Sequence, residues 1–339
     1  MQPPVPRSVF STLPRLATAL ALATALLAPL AASAVTVTID WVTVGTPGNV
    51  ADTRYMNCGP SRASPCGAVA TPYKIGKYEV TNAQYAEFLN SVAATDTNAL
   101  YNTSMDSDAT FGGITRSGSS RIYSYSVKSG FASKPVTWVS FWDAARYSNW
   151  LQNGQPTGLQ TSLTTEDGAY TLTPAAIAAN SVLRNLTASV FVPSENEWYK
   201  AAYYDPIAGL YYDYPTGTNA IIGCVAPVGD TGNSANCSGS VLTDVGAYAL
   251  SGSPSGTFDQ GGNVWEWHEQ IKYGSLRGLR GGVWGGGASF LAAGDSNVVN
   301  PALENPGVGF RVASIPEPST ALLVLTGLLG LAARRRRCS

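Results

Sequence analysis

Between Thr36 and Val44 polar and apolar side chains alternate, Thr-Val-Thr-Ile-Asp-Trp-Val-Thr-Val. That period of two predicts a half-buried strand. Tyr73 to Val80 reads as a second strand, running into Thr81, a residue suited to cap a helix. Beyond it Tyr85, Phe88 and Leu89 recur at spacings of three and four, the period of a helix. Asp96 to Lys134 is rich in Ser, Gly, Thr and Asn and reads as a long surface excursion. Lys134-Pro135-Val136 restores order, and Ser140 caps a helix from Phe141 to about Leu151, with Trp142, Ala145 and Asn149 on one face. Ser194 and Glu197 form a capping box, the hydroxyl meeting a backbone N–H while the carboxylate reaches back, for a third helix through Ala201, Ala202 and Tyr203. Trp265 and Trp267, two apart, would share one face of a strand with Glu266 on the other. Arg280–Trp284 and Gly307–Ala313 are two more strand-like phrases. Short strands, three short helices and long loops predict a loop-rich α+β domain.

The ends carry a different pattern. Arg7 and Arg15 precede an Ala- and Leu-rich run, Leu16 to Leu30, followed by Ala32-Ser33-Ala34. Charged, apolar and small-residue regions in that order predict a signal peptide over residues 1–34; the alternative is an uncleaved anchor helix. Pro316-Glu317-Pro318 leads into an apolar run from Ser319 to Ala333, closed by Arg334, Arg335, Arg336 and Arg337. Positive residues stay cytoplasmic, so the domain between the two ends is expected outside the inner membrane.

Removing the terminal segments changes the charge. The chain's formal net charge is −1, but without those six arginines and Glu317 residues 35–314 hold 15 basic and 21 acidic residues, a net of −6. An acidic domain without a basic cluster is a poor partner for nucleic acid. It would meet an anionic polysaccharide only through bridging cations. Charged residues are only 13% of the chain, against 35 Gly, 17 Tyr and 8 Trp, the composition of an aromatic-rich, loop-rich globular protein. Cys58 and Cys66 flank one short loop and Cys224 and Cys237 another; an oxidising compartment would permit both disulfides, and four free buried thiols are the alternative. Cys338 lies beyond the apolar tail.

One stretch organises the rest: Asp259-Gln260-Gly261-Gly262-Asn263-Val264-Trp265-Glu266-Trp267. A carboxylate between two indoles is costly to bury unless it is hydrogen-bonded or bound to a cation. The block resembles the signature of formylglycine-generating-enzyme-like (sulfatase-modifying-factor) domains. So do Lys77 to Phe88, Pro135 to Ala144, Pro193 to Trp198, and the two closing phrases, although Phe191-Val192-Pro193 departs from the usual Arg-Leu-Pro. The resemblance covers Val35 to Ser314 as one domain and implies a C-type-lectin-like fold whose closing phrases form a hairpin region. The terminal segment, 315–339, is similar to a PEP-CTERM sorting tail. That implies a transient inner-membrane anchor cut by an exosortase in exopolysaccharide-making bacteria, with display at the cell envelope or matrix; a permanent tail anchor is the alternative.

The resemblance also implies a calcium ion held by Asp259, by the carbonyls of Gly262 and Val264, and by Glu266, with Asn236 as a candidate ligand of a second ion. Calcium takes six to eight oxygens and accepts carbonyls and carboxylates together. Without metal, Glu266 would be a core hydrogen-bonding group. Formylglycine-generating enzymes hold copper on two cysteines after the Gly-Gly-x-Trp phrase, since that ion needs soft thiolates. In register those positions are Gly286 and Leu291, so no copper is expected. A related branch holds iron on histidines, and this chain has one histidine, His268. His268 beside Glu269 would make an acid–base pair, but a single exposed histidine after a strand more often has no catalytic part. These points lead to a binding module for a peptide or polysaccharide. Its expected contact residues are Trp284, Ser289, Phe290, Asp295 and Asn297 with the loop Tyr211 to Asn219. A divergent sulfatase-maturing oxidase and a structural matrix protein are the competing readings.

Overall fold

A computed structural model describes residues 1–2 and 36–316, and the folded domain occupies 36–316. The expected signal peptide and the expected apolar tail with its arginines lie outside the described residues, apart from Met1, Gln2 and Pro316.

All three expected helices form, each started by the residue the sequence points to. Asn82–Val92 is capped by Thr81, whose hydroxyl accepts from Gln84 N–H while the Gln84 side chain accepts from Thr81 N–H. Phe141–Gln152 begins the same way on Ser140 and Asp143. Glu195–Tyr203 begins on Ser194 and Glu197. Each reciprocal pair satisfies two otherwise orphaned backbone donors. The first two helices pack Tyr85 and Phe88 against Tyr147 and Trp150, and Phe310 closes the aromatic cluster edge-on.

Two four-stranded sheets flank this core. In one, Trp41–Val44, Tyr73–Gly76, Ala313–Ser314 and Val190–Phe191 lie side by side, all antiparallel. The first strand of the domain therefore lies one strand away from the last. In the other, the order is Asn297–Val299, Leu276–Arg280, Trp265–Lys272 and Val308–Gly309, with the last pair parallel. The segment from Val308 to Ser314 thus leaves one sheet and enters the other, and Arg311 lies at the crossing.

Three expectations change. Regular strand covers only the ends nearest the sheet partner, Trp41–Val44 and Tyr73–Gly76, because the flanking residues bond to loops, Val37 N–H to Gln155 and Val80 N–H to Phe310. The closing phrases do not pair with each other: Leu276–Arg280 makes its hairpin with Trp265–Lys272, and Val308–Gly309 joins that strand's other edge. The Asp96–Lys134 excursion is no mere surface loop. It holds a hairpin, Ile114–Ser117 with Ser124–Val127, and buries Leu100, Tyr101, Met105, Ile114 and Tyr125. Its apolar residues are too sparse to show a period, yet they suffice to anchor it. Cys58 is bonded to Cys66, and Cys224 to Cys237.

Candidate functional site

The block from Asp259 to Glu266 starts as a tight turn and ends as a strand. Asp259, Gly262 and Asn263 all have positive φ, +60°, +87° and +61°. Gly262 is required twice over: its backbone is left-handed, and a Cβ there would stand 2.3 Å from the Asn236 carbonyl oxygen. Asn263 fastens the turn. Its backbone N–H donates to Asn236 O (2.9 Å), its Oδ1 accepts from Thr243 N–H (3.1 Å) and Asn236 Nδ2 (3.3 Å), and its Nδ2 donates to Glu79 Oε1 (3.3 Å). Asn263 O then accepts Trp284 N–H (3.0 Å), docking the following loop onto the turn. Asn236 is therefore a structural brace of the block. Nearby Asp244 is exposed and pairs with Lys134 (3.2 Å).

Glu266 is wholly buried, and its charge is met by Arg311. Nε lies 2.6 Å from Oε2 and Nη2 lies 2.7 Å from Oε1, while Trp198 Nε1 donates to Oε2 at 2.8 Å. A bidentate guanidinium and an indole N–H are what a buried carboxylate needs without any metal. This differs from the ligand role the resemblance implies for Glu266. Two other carboxylates lie in the same buried region. Asp259 accepts Gly246 N–H at 2.6 Å on Oδ2 only; burial pushes its pKa up to about 6. Glu79 is raised well above the usual carboxylate range, by burial first and then by the charge of Asp259. Three acids thus face one arginine, which leaves room for a cation charge. Among the described residues no three His, Cys, Asp or Glu side chains group around one point. A calcium ion here would therefore need main-chain carbonyls, such as those of Gly262 and Val264, besides carboxylates, a set that this ion accepts.

The loop after the second sheet's hairpin carries an aromatic face. Trp284, half-buried, stacks on Phe111 with ring centroids 4.4 Å apart and planes at 21°. Phe290, 43% exposed, meets Trp265 edge-on at 6.1 Å. Trp138, also half-buried, has a left-handed φ of +60°. It is held by its N–H to Asn305 O (3.1 Å) and its Nε1 to Asp108 (3.3 Å), while neighbouring Thr137 bonds Phe111 O. Ser289 is exposed beside Phe290. Of the two register positions for copper thiols, Gly286 lies under Phe290 and Leu291 is buried with Tyr214, Ile222, Ala235 and Cys237.

The other expected contact residues lie elsewhere. The carbonyl of Asp295 accepts Arg280 Nη1 (2.8 Å), and its carboxylate folds back on Ser296 N–H. Asn297 belongs to the edge strand opposite Leu279. In the Tyr211–Asn219 loop, Tyr211 bonds Gly67 O (2.8 Å) and Asp213 pairs with Arg54 (2.9 Å). Phe111, Trp138 and Trp265 were absent from the expected set. Phe111 sits in the segment read as an excursion, and nothing in its local spacing marks it.

His268 is not exposed. Its ring is fully buried with Nε2 3.7 Å from Glu195, which also pairs with Lys272 (2.6 Å) and Arg280 (3.0 Å). Burial drives its pKa down to about 3, against the pull of Glu195, so the imidazole is neutral. Glu269 faces away, held by Arg184 (2.7 Å) and by Tyr170 Oη (3.0 Å). The two side chains have separate partners, and Glu269 falls where the hairpin register shifts, so the His268–Glu269 acid–base pair does not form.

Comparison with known proteins agrees with the architecture. The chain resembles Treponema denticola variable protein 1, with a TM-score of 0.53 and 20% identity over 84% of this chain and 98% of that one. CarF is similar, with a TM-score of 0.51 and 21% identity over 83% and 99%. Both likenesses concern the fold. Among curated proteins, hercynine oxygenase of Mycolicibacterium thermoresistibile is 30% identical over 155 residues, 38% of this chain and 33% of that protein; the chain thus spans about a third of the relative's length. Residues 314–337 match the PEP-CTERM protein-sorting motif, which marks proteins for exosortase-processed sorting to the cell envelope or surface. Residues 39–315 match the Sulfatase-modifying factor enzyme 1-like domain, and the chain belongs to that family, with its C-type-lectin-like fold.

Proposed function

We propose that this protein is an exported, non-copper member of its family that binds a ligand at the cell surface or in the surrounding matrix through the aromatic face around Trp284. One observation carries the reading. The loop in register with the copper thiols presents Gly286 and a buried Leu291, and beside them stand the Phe111–Trp284 stack and exposed Phe290. Thiolates are the donors that copper chemistry requires, and neither position has one. Aromatic faces with a polar rim, here Ser289 and Asn305, suit uncharged sugar rings and peptide side chains. The domain's net charge of −6 disfavours anionic polymers. We further propose that a calcium ion supports the turn from Asp259 to Val264.

The partial likeness to hercynine oxygenase favours a second reading, an oxygen-using enzyme. The only histidine of this chain, buried against Glu195, supports no multi-histidine iron site.

Glycan and peptide arrays probed in calcium buffer test the first reading, with Trp284→Ala and Phe290→Ala as controls. Binding lost in both variants is expected. Copper-dependent oxygen consumption with a cysteine-containing peptide, at unchanged array signal in the variants, would overturn it.

A further inference from the structure

Ala313–Ser314 is an inner strand of the first sheet, with Tyr73–Gly76 on one side and Val190–Phe191 on the other, both antiparallel to it. The chain therefore leaves the domain at the end of the sheet where those two strands begin. Trp41–Val44 finishes at the same end, because Val44 lies opposite Tyr73. The exit is held in place: Ile315 N–H donates to Ser189 O (3.0 Å). Three loops surround it, residues 45–50, 68–72 and 185–189. None of their residues is charged, although the domain holds 21 acidic side chains. Pro47, Val50, Pro72 and Leu186 in these loops are exposed, as is Ile315 itself. Leu186 stands fully in solvent at the tip of a turn closed by Ala188 N–H to Asn185 O (3.1 Å). The charged neighbours of this rim are mostly cations or paired. Lys74 lies opposite Ser314, Lys200 donates to Thr46 O from below (2.8 Å), and Arg184 is paired with Glu197 and Glu269. One acid, Asp167, reaches Asn185 through Thr171.

The apolar run of the tail starts at Ser319, four residues beyond Ile315. Fully extended, that tether spans at most about 14 Å, less than the ~19 Å radius of gyration of a domain this size. An anchored tail thus leaves the domain little freedom to turn another side towards the lipid. We infer that, while the tail is held in the membrane, the uncharged rim around Ile315 lies on the phospholipid surface, with Leu186, Val50 and Ile315 in its interfacial layer. The inference goes beyond the ligand-binding reading and rests on the tail acting as an anchor. A surface without charges and studded with exposed apolar side chains meets lipid at the least desolvation cost. The net charge of −6 over residues 35–314 turns the rest of the domain away from anionic headgroups.

The test is collisional quenching in vesicles of phosphatidylethanolamine and phosphatidylglycerol that include a lipid spin-labelled at its headgroup. Exported protein with its leader removed and its tail retained, purified from a host without exosortase, is reconstituted into them from detergent. It carries Cys338→Ser and one new thiol, Leu186→Cys or Asp40→Cys, coupled to an environment-sensitive fluorophore. Asp40 is exposed and precedes Trp41–Val44, at the end of that strand away from the exit, so it serves as the control. Both positions are exposed, and neither label disturbs the core. Flotation with the vesicles reports separately whether the tail anchors the protein. The Leu186 label is expected to shift to the blue and lose most of its emission, while the Asp40 label stays unchanged. Protein that floats with both labels equally bright, or with the Asp40 label the more quenched, overturns the inference and leaves the anchor standing. Protein that does not float overturns the anchor reading and the inference with it.

Discussion

Arg311 meets Glu266 edge-on through two parallel hydrogen bonds, 2.6 and 2.7 Å long, and neither side chain touches solvent. The pair lies where the chain passes from one sheet to the other, so it joins the Trp265–Lys272 strand to the strap that carries Phe310 and Ala313. Arg311→Lys keeps the charge but loses the fork and its carbonyl bonds. Disrupting a buried pair of this kind costs about 3–5 kcal/mol. The urea midpoint of Arg311→Lys is therefore expected to fall well below that of wild type; an unchanged midpoint would show that the pair contributes little.

Gly262→Ala tests the turn. The added methyl would meet the Asn236 carbonyl oxygen at 2.3 Å, a backbone atom that is itself bonded to Asn263 N–H, and the residue would have to hold a φ of +87°. Strain of this kind costs on the order of 1–3 kcal/mol, and the Asn263–Trp284 bond depends on the same geometry. Lower melting temperature with weakened array binding is the expected result. Gly274→Ala, a positive-φ glycine with open space around it, makes a control in which only the φ penalty remains.

The motifs legible in the sequence were those that act locally. A cap needs its partner three residues away, so Thr81, Ser140 and Ser194 announced their helices. The family phrases added the fold. What stayed hidden were contacts across long separations. Glu266 finds Arg311 45 residues on, Trp284 finds Phe111 far upstream, and His268 meets Glu195 from a neighbouring element. Burial of His268 follows from Gly278 across the hairpin, where a Cβ would stand 1.9 Å from the imidazole. Strand periodicity tells which face a residue takes, but not what charge waits there.

The Phe111–Trp284 stack offers a measurable coupling. Stacked aromatic pairs contribute about 0.5–1.5 kcal/mol beyond their buried area. A double-mutant cycle with Phe111→Ala and Trp284→Ala is expected to give a stability coupling in that range. Both single variants are expected to remain folded, because Phe111 and Trp284 are only half-buried and the aromatic core around Tyr147 lies elsewhere. Zero coupling would mean that the two rings move independently in solution.

His268 should leave its mark on the acid side. Its folded pKa, about 3, is below the ordinary 6.5, because burial penalises the charged ring. At pH 7 both folded and unfolded chains hold it neutral, and its contribution is fully present. As pH falls through 6.5 the unfolded chain takes up a proton that the folded chain refuses, so stability drops until about pH 3, where the folded ring also protonates. One proton changes stability by at most about 1.4 kcal/mol per pH unit, or about 2 kcal/mol between pH 6.5 and 5. In His268→Gln that one-proton slope is expected to vanish, even if the variant is less stable at pH 7. Urea unfolding at pH 7, 6 and 5 reads the difference directly. A variant whose stability falls as steeply as wild type over this range would show that the acid sensitivity arises elsewhere, with the carboxylates paired to Arg184 and Lys272 as the next candidates.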